Sequence, residues 1–491
     1  MERSSGILMP VFSLPSPYGV GTFGKSAYDF ADFLKTAGQK YWQLLPLGPT
    51  SYGDSPYQSF STFAGNPYFI DLKLLIQDKL LTKKEADACE WGTNPRYVDY
   101  GRLYESRFAV LAAAKQRGWT RDAEAVRAFE RENADWLPDY ALFMALKRHF
   151  DMRPWYEWPE ELRLRRGEAV ERWRAELRED VELFTYIQFL FFRQWSALKA
   201  YVNGLGIRII GDLPIYVAMD SADVWAEPEL FRLDAEGTPT EVAGVPPDYF
   251  SADGQLWGNP LYDYDAMERN GFGWWIRRIG GASRLYDVIR IDHFRGFESF
   301  WAVPYGETTA RGGRWVKGPG MKLVGVLTGW FGDLEFIAED LGCAAPEVVQ
   351  LLRDSKLPGM KVLEFAFDPN EQSDYLPHLY TENCVCYTGT HDNAPLGEWF
   401  AAGDPREIAH AKKYLGLNEQ EGAIYGMIRG GMGSVAKLFV AQMQDYLELG
   451  KYNRTNTPGT AAGNWQWRML PGEADGKLAK RIAALVRLYG R

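Results

Sequence analysis

Three short acidic motifs follow one another along the chain: Arg290-Ile291-Asp292-His293-Phe294-Arg295, Ala338-Glu339-Asp340-Leu341-Gly342 and Gly389-Thr390-His391-Asp392-Asn393. The first and third acids follow apolar, β-prone runs, and the second follows a shorter one, Phe336-Ile337-Ala338. Each reads as a carboxylate at the C-terminal end of a strand. In a barrel of parallel strands those ends converge on one face, and that face carries catalysis. Several carboxylates at one mouth suit glycosidic-bond chemistry, which needs an acid, a nucleophile and help for an oxocarbenium-like transition state.

Alternate residues of a strand face one side, so Arg290 and Asp292 are expected to point together into the mouth. A close guanidinium depresses a carboxylate pKa and would keep Asp292 ionised, as a nucleophile requires. A structural salt bridge closing the barrel is the competing reading of this pair. Glu339 and Asp340 are adjacent and cannot both face the lumen of a continuing strand. Glu reaches further, and a general acid needs the raised pKa that burial beside another carboxylate supplies, yet the residues alone leave the choice open. His391 with Asp392 suits a pair that holds neighbouring sugar hydroxyls. Five histidines offer no ligand-spaced cluster, so no metal is expected. A Ser/His/Asp hydrolase is disfavoured by the lack of a G-x-S-x-G elbow.

These acids need a scaffold. Candidate strands recur at 7–12, 41–45, 207–212, 288–292, 336–339, 361–367 and 384–388, with a weaker one at 438–443 that reads equally as helix. Strand–helix alternation with mostly buried strands implies an α/β fold with a parallel sheet. About eight strands imply a closed (β/α)8, or TIM, barrel with large, mainly helical insertions. Residues 1–491 read as one catalytic barrel. A helical insertion spans about 51–200, between the second and third strands, with helices at 100–117, 120–133, 139–150 and 159–198. A second insertion spans about 219–285, between the third and fourth strands. Within it, 245–260 is rich in Pro, Gly and aromatics and reads as an irregular loop. Loop 247–258 there is a candidate active-site lid.

Composition narrows the partners. The 55 basic against 65 acidic residues leave a formal charge of −10. That disfavours nucleic acid and an anionic membrane surface. The apolar stretch 181–202 is interrupted by Arg193, Gln194 and Lys199, and the N-terminus lacks the apolar core of a signal peptide. Four cysteines, at 89, 343, 384 and 386, lack disulfide-framework or CxxC spacing, and Cys384 and Cys386 read as core thiols. A cytoplasmic location is expected. The 18 Trp, 27 Tyr and 27 Phe add modest weight to a sugar cleft, because aromatic faces also simply fill cores.

One motif points elsewhere. Gly19-Val20-Gly21-Thr22-Phe23-Gly24-Lys25-Ser26 matches both G-x-x-x-x-G-K-S and G-x-G-x-x-G. A phosphate loop leaves directly from a buried strand, whereas Leu14-Pro15-Ser16-Pro17-Tyr18 intervenes here. A tight glycine turn entering a helix from about Ser26 to Thr36 is the favoured reading.

Taken together, the chain resembles the 4-α-glucanotransferases of the amylomaltase (disproportionating enzyme) family, glycoside hydrolase family 77, relatives of the α-amylases. The resemblance runs through essentially the whole chain. It is carried by the three acidic motifs and by Gly53-Asp54-Ser55-Pro56-Tyr57-Gln58, Gly211-Asp212-Leu213-Pro214-Ile215-Tyr216-Val217, Pro246-Pro247-Asp248-Tyr249-Phe250-Ser251, Gln255-Leu256-Trp257-Gly258-Asn259-Pro260, Thr457-Pro458-Gly459-Thr460 and Gly463-Asn464-Trp465. It implies Asp292 as nucleophile, Glu339 as general acid/base and Asp392 as transition-state stabiliser, with Arg290 orienting Asp292. It implies that His391 and Asp212 line the donor subsite, that Trp257 and Tyr57 form the acceptor-side wall, and that Asn464 contacts donor sugars. The implied reaction is a retaining double displacement on maltooligosaccharides, amylose or starch, with a glucan or glucose as acceptor and no cofactor. Carboxyls roughly 5–5.5 Å apart go with that mechanism. An α-glucan hydrolase of the amylase type would use the same acids, and a carbohydrate-binding module is the reading outside enzymology. Tyr52 and Tyr97 are either a second glucan site or ordinary packing.

Overall fold

The computed structural model describes residues 2–247, 251–342, 345–371, 373–460 and 462–491, without the side chain of Tyr52. Three of the features singled out above therefore lie outside the described residues: Asp248-Tyr249-Phe250 of the lid, Cys343 and the Tyr52 side chain.

Eight strands pair in parallel: β1 (Ser4–Leu8), β2 (Tyr41–Gln43), β3 (Arg208–Leu213), β6 (Val288–Ile291), β9 (Glu335–Ala338), β10 (Gly359–Val362), β11 (Cys384–Tyr387) and β12 (Leu438–Gln442). Their order is β10-β11-β12-β1-β2-β3-β6-β9. The Ala338 N–H donates to the Pro358 carbonyl at 2.9 Å, and the Asp340 carboxylate accepts from the Met360 N–H at 2.7 Å. These contacts bring β9 against β10, so the ring is nearly closed: a TIM barrel. The weak segment near 438 is a strand. Its five residues are all buried, and pairing with both β1 and β11 outweighs its ambiguous local preference.

The pleat sorts the side chains. Leu8, Tyr41, Ile210, Val288, Ile337, Met360, Val362, Val385, Tyr387, Leu438 and Val440 form one core cluster, the packed barrel interior. Their sequence neighbours Ile209, Ile289, Phe336, Cys384 and Phe439 join the larger cluster outside the ring. Position 212 has the parity of Ile210, 290 and 292 that of Val288, and 339 that of Ile337. The site residues thus continue the interior rows upward.

Two strands sit elsewhere than the apolar pattern indicates. The 7–12 run is strand only to Leu8, because Pro10 lacks the N–H a ladder needs and residues 11–13 turn into a 3₁₀ helix. The 361–367 run pairs at Gly359–Val362 instead, and residues 363–365 again turn. A side chain at 359 would meet the Asp340 carboxylate at 2.7 Å, so this register needs glycine.

Helices Tyr100–Gly118, Ala123–Glu132, Leu137–His149 and Arg178–Gly204 lie between β2 and β3. The expected helix 159–198 is broken into Glu160–Arg163, Gly167–Glu176 and Arg178–Gly204, with Arg165 left-handed at φ 48°. Gln188 on the long helix accepts from the Gly65 N–H (2.7 Å) and donates to its carbonyl (2.9 Å). This clamp anchors the loop that carries Tyr57.

The segment 245–260 is not wholly irregular. β4 (Glu241–Val245), β5 (Gln255–Pro260), β7 (Ser299–Pro304) and β8 (Arg314–Lys317) form an antiparallel sheet in the order β5-β4-β7-β8. Trp257 therefore stands on an edge strand. Pro260 is tolerated there, and a register shift between Val242 and Gly244 absorbs an irregularity.

The glycine motif is filled by the protein itself. A Cβ at Gly21 would meet the Val11 carbonyl oxygen at 1.8 Å, and one at Gly24 the Asp71 carboxylate at 2.0 Å. Thr22 donates its hydroxyl to the same carboxylate at 2.6 Å, and Lys25 pairs outward with Asp29. An anion stands beside the helix entry, where a phosphate loop would need open N–H groups. Among the described residues, no group of side chains suits a metal ion, and no helix is long and apolar enough to cross a membrane.

Candidate active site

Asp212 and Arg290 are register partners across β3 and β6. One guanidinium nitrogen, Nη1, donates to both Asp212 oxygens at 2.6 and 2.7 Å and to Asp292 Oδ1 at 3.2 Å. Arg290 is thus shared, and Asp212 holds it more closely. The Tyr57 hydroxyl donates to the other side of Asp212 at 2.8 Å. The Asp212 side chain is fully buried, whereas that of Asp292 is 28% exposed.

The chain leaves β6 through His293, which is left-handed (φ 50°, ψ 47°). For a residue with a Cβ this costs about 1–2 kcal/mol. The turn points the His293 N–H at Glu339 Oε2 (2.6 Å), and the Leu341 N–H donates to Oε1 (3.1 Å). Glu339 is therefore held by two backbone donors, one from each flanking segment. Asp340 turns the other way, to β10, where it takes the Met360 N–H. The two adjacent acids have separate places.

Beyond β11, Thr390 is fixed by Asn393 Oδ1, which accepts from both its N–H and its hydroxyl at 2.9 Å. Asp392 follows, its Oδ1 taking the Asn456 amide at 2.6 Å and lying 3.4 Å from His391 Nε2. The buried His391 ring stacks on Tyr57 with centroids 5.1 Å apart and planes 15° apart, and Trp465 closes the group at 6.0 Å from His391. On the opposite side, Trp257 meets the His293 ring edge-on at 4.8 Å.

Electrostatics revise one expectation. Arg290 lowers the Asp292 pKa, but burial raises it more, and Asp212, Glu339 and Asp392 add to the rise. The Asp292 carboxyl stands well above the usual range and is not simply held ionised. Burial raises Glu339 as well, against Arg290 and its two backbone donors. The Glu339 charge is among the causes that raise Asp292, so the two carboxyls act on one another and protonation of one favours ionisation of the other. Burial keeps His391 and His293 neutral, the latter with its pKa pushed down to about 3.

The structure therefore brings Asp292, Glu339, Asp392, Arg290, Asp212, Tyr57 and His391 to one mouth, with Trp257 at its rim. Asn464 is engaged in its own loop: its oxygen accepts from the Thr457 N–H at 2.9 Å, and its amide donates to Thr460 at 3.0 Å. Tyr97 donates to the Tyr452 carbonyl at 2.8 Å, away from this mouth. Sequence reasoning missed Asn456 and the His293 N–H. The first lies in a loop that no strand-end rule reaches. The second is a backbone group, signalled only by an acid-to-loop junction.

A family model described as 4-alpha-glucanotransferase matches residues 9–473. The chain is 49% identical to the 4-alpha-glucanotransferase of Clostridium butyricum, over 98% of this chain and 100% of that one. It is also 49% identical to that of Thermus thermophilus, over 100% and 99%. Among solved structures, the amylomaltase of Streptococcus agalactiae in complex with acarbose superposes with a TM-score of 0.97 at 41% identity, covering both chains fully. On its sequence, its barrel and these matches, the chain belongs to the 4-alpha-glucanotransferase family.

Proposed function

We propose that the protein is a 4-α-glucanotransferase that moves α-1,4-glucan segments from a donor maltooligosaccharide or starch chain to the 4-OH of an acceptor glucan or glucose. The observation that carries this is the convergence of Asp292, Glu339 and Asp392 from three strand ends on one mouth, where the charges of Glu339 and Asp392 are felt at Asp292 and Arg290 bonds to Asp292. Asp292, its side chain partly exposed, attacks the anomeric carbon. Glu339, in its protonated form, gives its proton to the leaving oxygen. The negative charge that Asp292 loses on forming the glycosyl ester lowers the cost of ionising Glu339, which then serves as base toward the incoming 4-OH. Asp392, fixed by Asn456 and next to the neutral His391, takes sugar hydroxyls whose bonds tighten as the oxocarbenium develops. Asp212 and Tyr57 hold Arg290 in place.

Transfer instead of hydrolysis requires that a sugar, not water, fills the acceptor side. Trp257 on β5 offers the apolar face for it. The relatives named above are transferases, which favours this reading over an amylase-type hydrolase. Asn464, bonded to Thr457 and Thr460, contacts donor sugars.

Pure maltotriose tests the proposal. Longer maltooligosaccharides plus glucose, with total reducing ends constant, are expected. Rising reducing ends with only shorter products would contradict it.

A further inference from the structure

Arg290 makes one contact that the acids do not explain. Its Nε donates to the thioether sulfur of Met360 at 3.3 Å. Both residues are buried. The bonds to Asp212 and Asp292 all leave from Nη1, so the sulfur serves a different nitrogen of the same guanidinium.

Met360 reaches the arginine from two strands away. It stands on β10 and belongs to the interior cluster with Ile337, Val362 and Val385. In the ring, β9 lies between β6 and β10, so the contact passes over β9 on the inside of the barrel. That reach suits an unbranched side chain with a soft, polarisable sulfur. The Met360 backbone is pinned in turn, because Asp340 takes its N–H at 2.7 Å and glycine at 359 leaves room for that carboxylate. Asp340 follows Glu339 directly. One methionine therefore ties the loop of the acid/base to the arginine beside the nucleophile.

The kind of acceptor matters. A buried charged donor without a partner is costly, and a guanidinium free to turn would leave its place. A thioether accepts weakly and carries no charge. It occupies Nε while the positive charge stays with the carboxylates, whereas an anion in its place would compete with Asp292.

We propose that Met360 is a positioning residue: its sulfur fixes the orientation of the Arg290 guanidinium so that Nη1 stays between Asp212 and Asp292. This rests on the double-displacement reading, in which Asp292 is the nucleophile. The titratable groups facing the guanidinium are Asp212, Asp292, Glu339, Tyr57 and Tyr387, with Asp392 acting on Asp292. Burial pushes both tyrosines up, so a displaced guanidinium is read at the carboxyls.

Two substitutions separate acceptor from shape. Met360→Leu keeps an apolar side chain of similar volume without an acceptor. Met360→Gln keeps the reach and supplies a neutral oxygen. With maltotriose, kcat is expected to fall about ten-fold in Met360→Leu, with KM within about two-fold of wild type, and Met360→Gln should be at least about three-fold faster than Met360→Leu. Tm should run the other way, with Leu above Gln, because an amide fits the apolar interior poorly. The acidic limb of the pH–rate profile should move to higher pH in Met360→Leu, since Arg290 lowers Asp292, and return toward wild type in Met360→Gln. A Met360→Leu enzyme with wild-type kcat and an unmoved limb would overturn the proposal. So would a Met360→Gln enzyme no faster than Met360→Leu, or activities that simply follow Tm. Wild-type enzyme that raises reducing ends and makes only shorter products would sink the transferase reading alone. The same comparison of variants would then be read on the hydrolysis rate, which begins with the same attack by Asp292.

Discussion

Replacing Glu339 by glutamine separates the chemistry of the site from its architecture. The Glu339 carboxylate accepts two backbone bonds, from His293 at 2.6 Å and Leu341 at 3.1 Å. A glutamine has one oxygen and satisfies one of them. The shorter His293 bond keeps the oxygen, and the amide then faces the Leu341 N–H, donor against donor. The loss of that bond costs about 1–3 kcal/mol of stability, a modest fall in Tm for a chain of this size. The chemical loss is larger. General acid–base catalysis supplies about 10²–10⁴-fold, or about 3–5 kcal/mol at 1.36 kcal/mol per decade. The assay uses two donors with the same glycosyl group, maltotriose and α-maltosyl fluoride. Fluoride leaves without a proton, so Glu339→Gln is expected to lose at least 10²-fold on maltotriose. With the fluoride it should give a burst of about one fluoride per enzyme, because the second step lacks its base. The basic limb of the pH–rate profile should disappear, and the acidic limb should move to lower pH, since the Glu339 charge no longer raises Asp292. An equal deficit on both donors, with a Tm close to wild type, would refute the role given to Glu339.

Trp257→Ala is expected to lower the transfer-to-hydrolysis ratio on maltotriose by opening the acceptor side to water; an unchanged ratio would remove Trp257 from that role. Asp292→Asn should abolish turnover while maltooligosaccharide binding stays measurable by calorimetry, and near-normal activity would sink the nucleophile assignment. Asn456→Ala removes the 2.6 Å bond to Asp392. With a charged acceptor worth about 1.5–3 kcal/mol, kcat/KM should fall about 10–100-fold, with Tm nearly unmoved. Asp223 is buried, accepts the Thr62 N–H at 2.8 Å, and has its pKa raised by burial to about 7. The unfolded chain releases this proton near pH 4 and the folded chain near 7. The folded state therefore holds the extra proton between them, and stability falls as pH rises through that window, by at most about 4 kcal/mol. Asp223→Asn keeps an acceptor for Thr62 without that proton and should flatten the decline of Tm between pH 5 and 8.

The position of the mouth acids was legible because two simple regularities act on them together. Strand-end position puts Asp292 and Glu339 at the mouth, and alternation puts Arg290 and Asp292 on one side. What alternation could not show is competition between charges. Burial raises Asp292 more than Arg290 lowers it, and Asp212, distant in sequence but the register partner of Arg290, adds to the rise. The choice between Glu339 and Asp340 likewise depended on a neighbour, the Met360 N–H, which no local pattern reveals. The antiparallel sheet was hidden because its strands are short and lie in two different intervals of the barrel. Trp257 thus read as part of a loop until its pairing with β4 was visible. Apolar runs also overstate strands: 11–14 are buried but past Pro10, so burial there belongs to a turn.

The most direct test of the account is to map the covalent intermediate. Glu339→Gln enzyme is incubated with α-maltosyl fluoride, digested, and its peptides weighed. The account predicts one added maltosyl group on the peptide containing Asp292, released when a small nucleophile such as azide is added. A modified peptide that lacks Asp292, or turnover of the fluoride with no adduct, would contradict it.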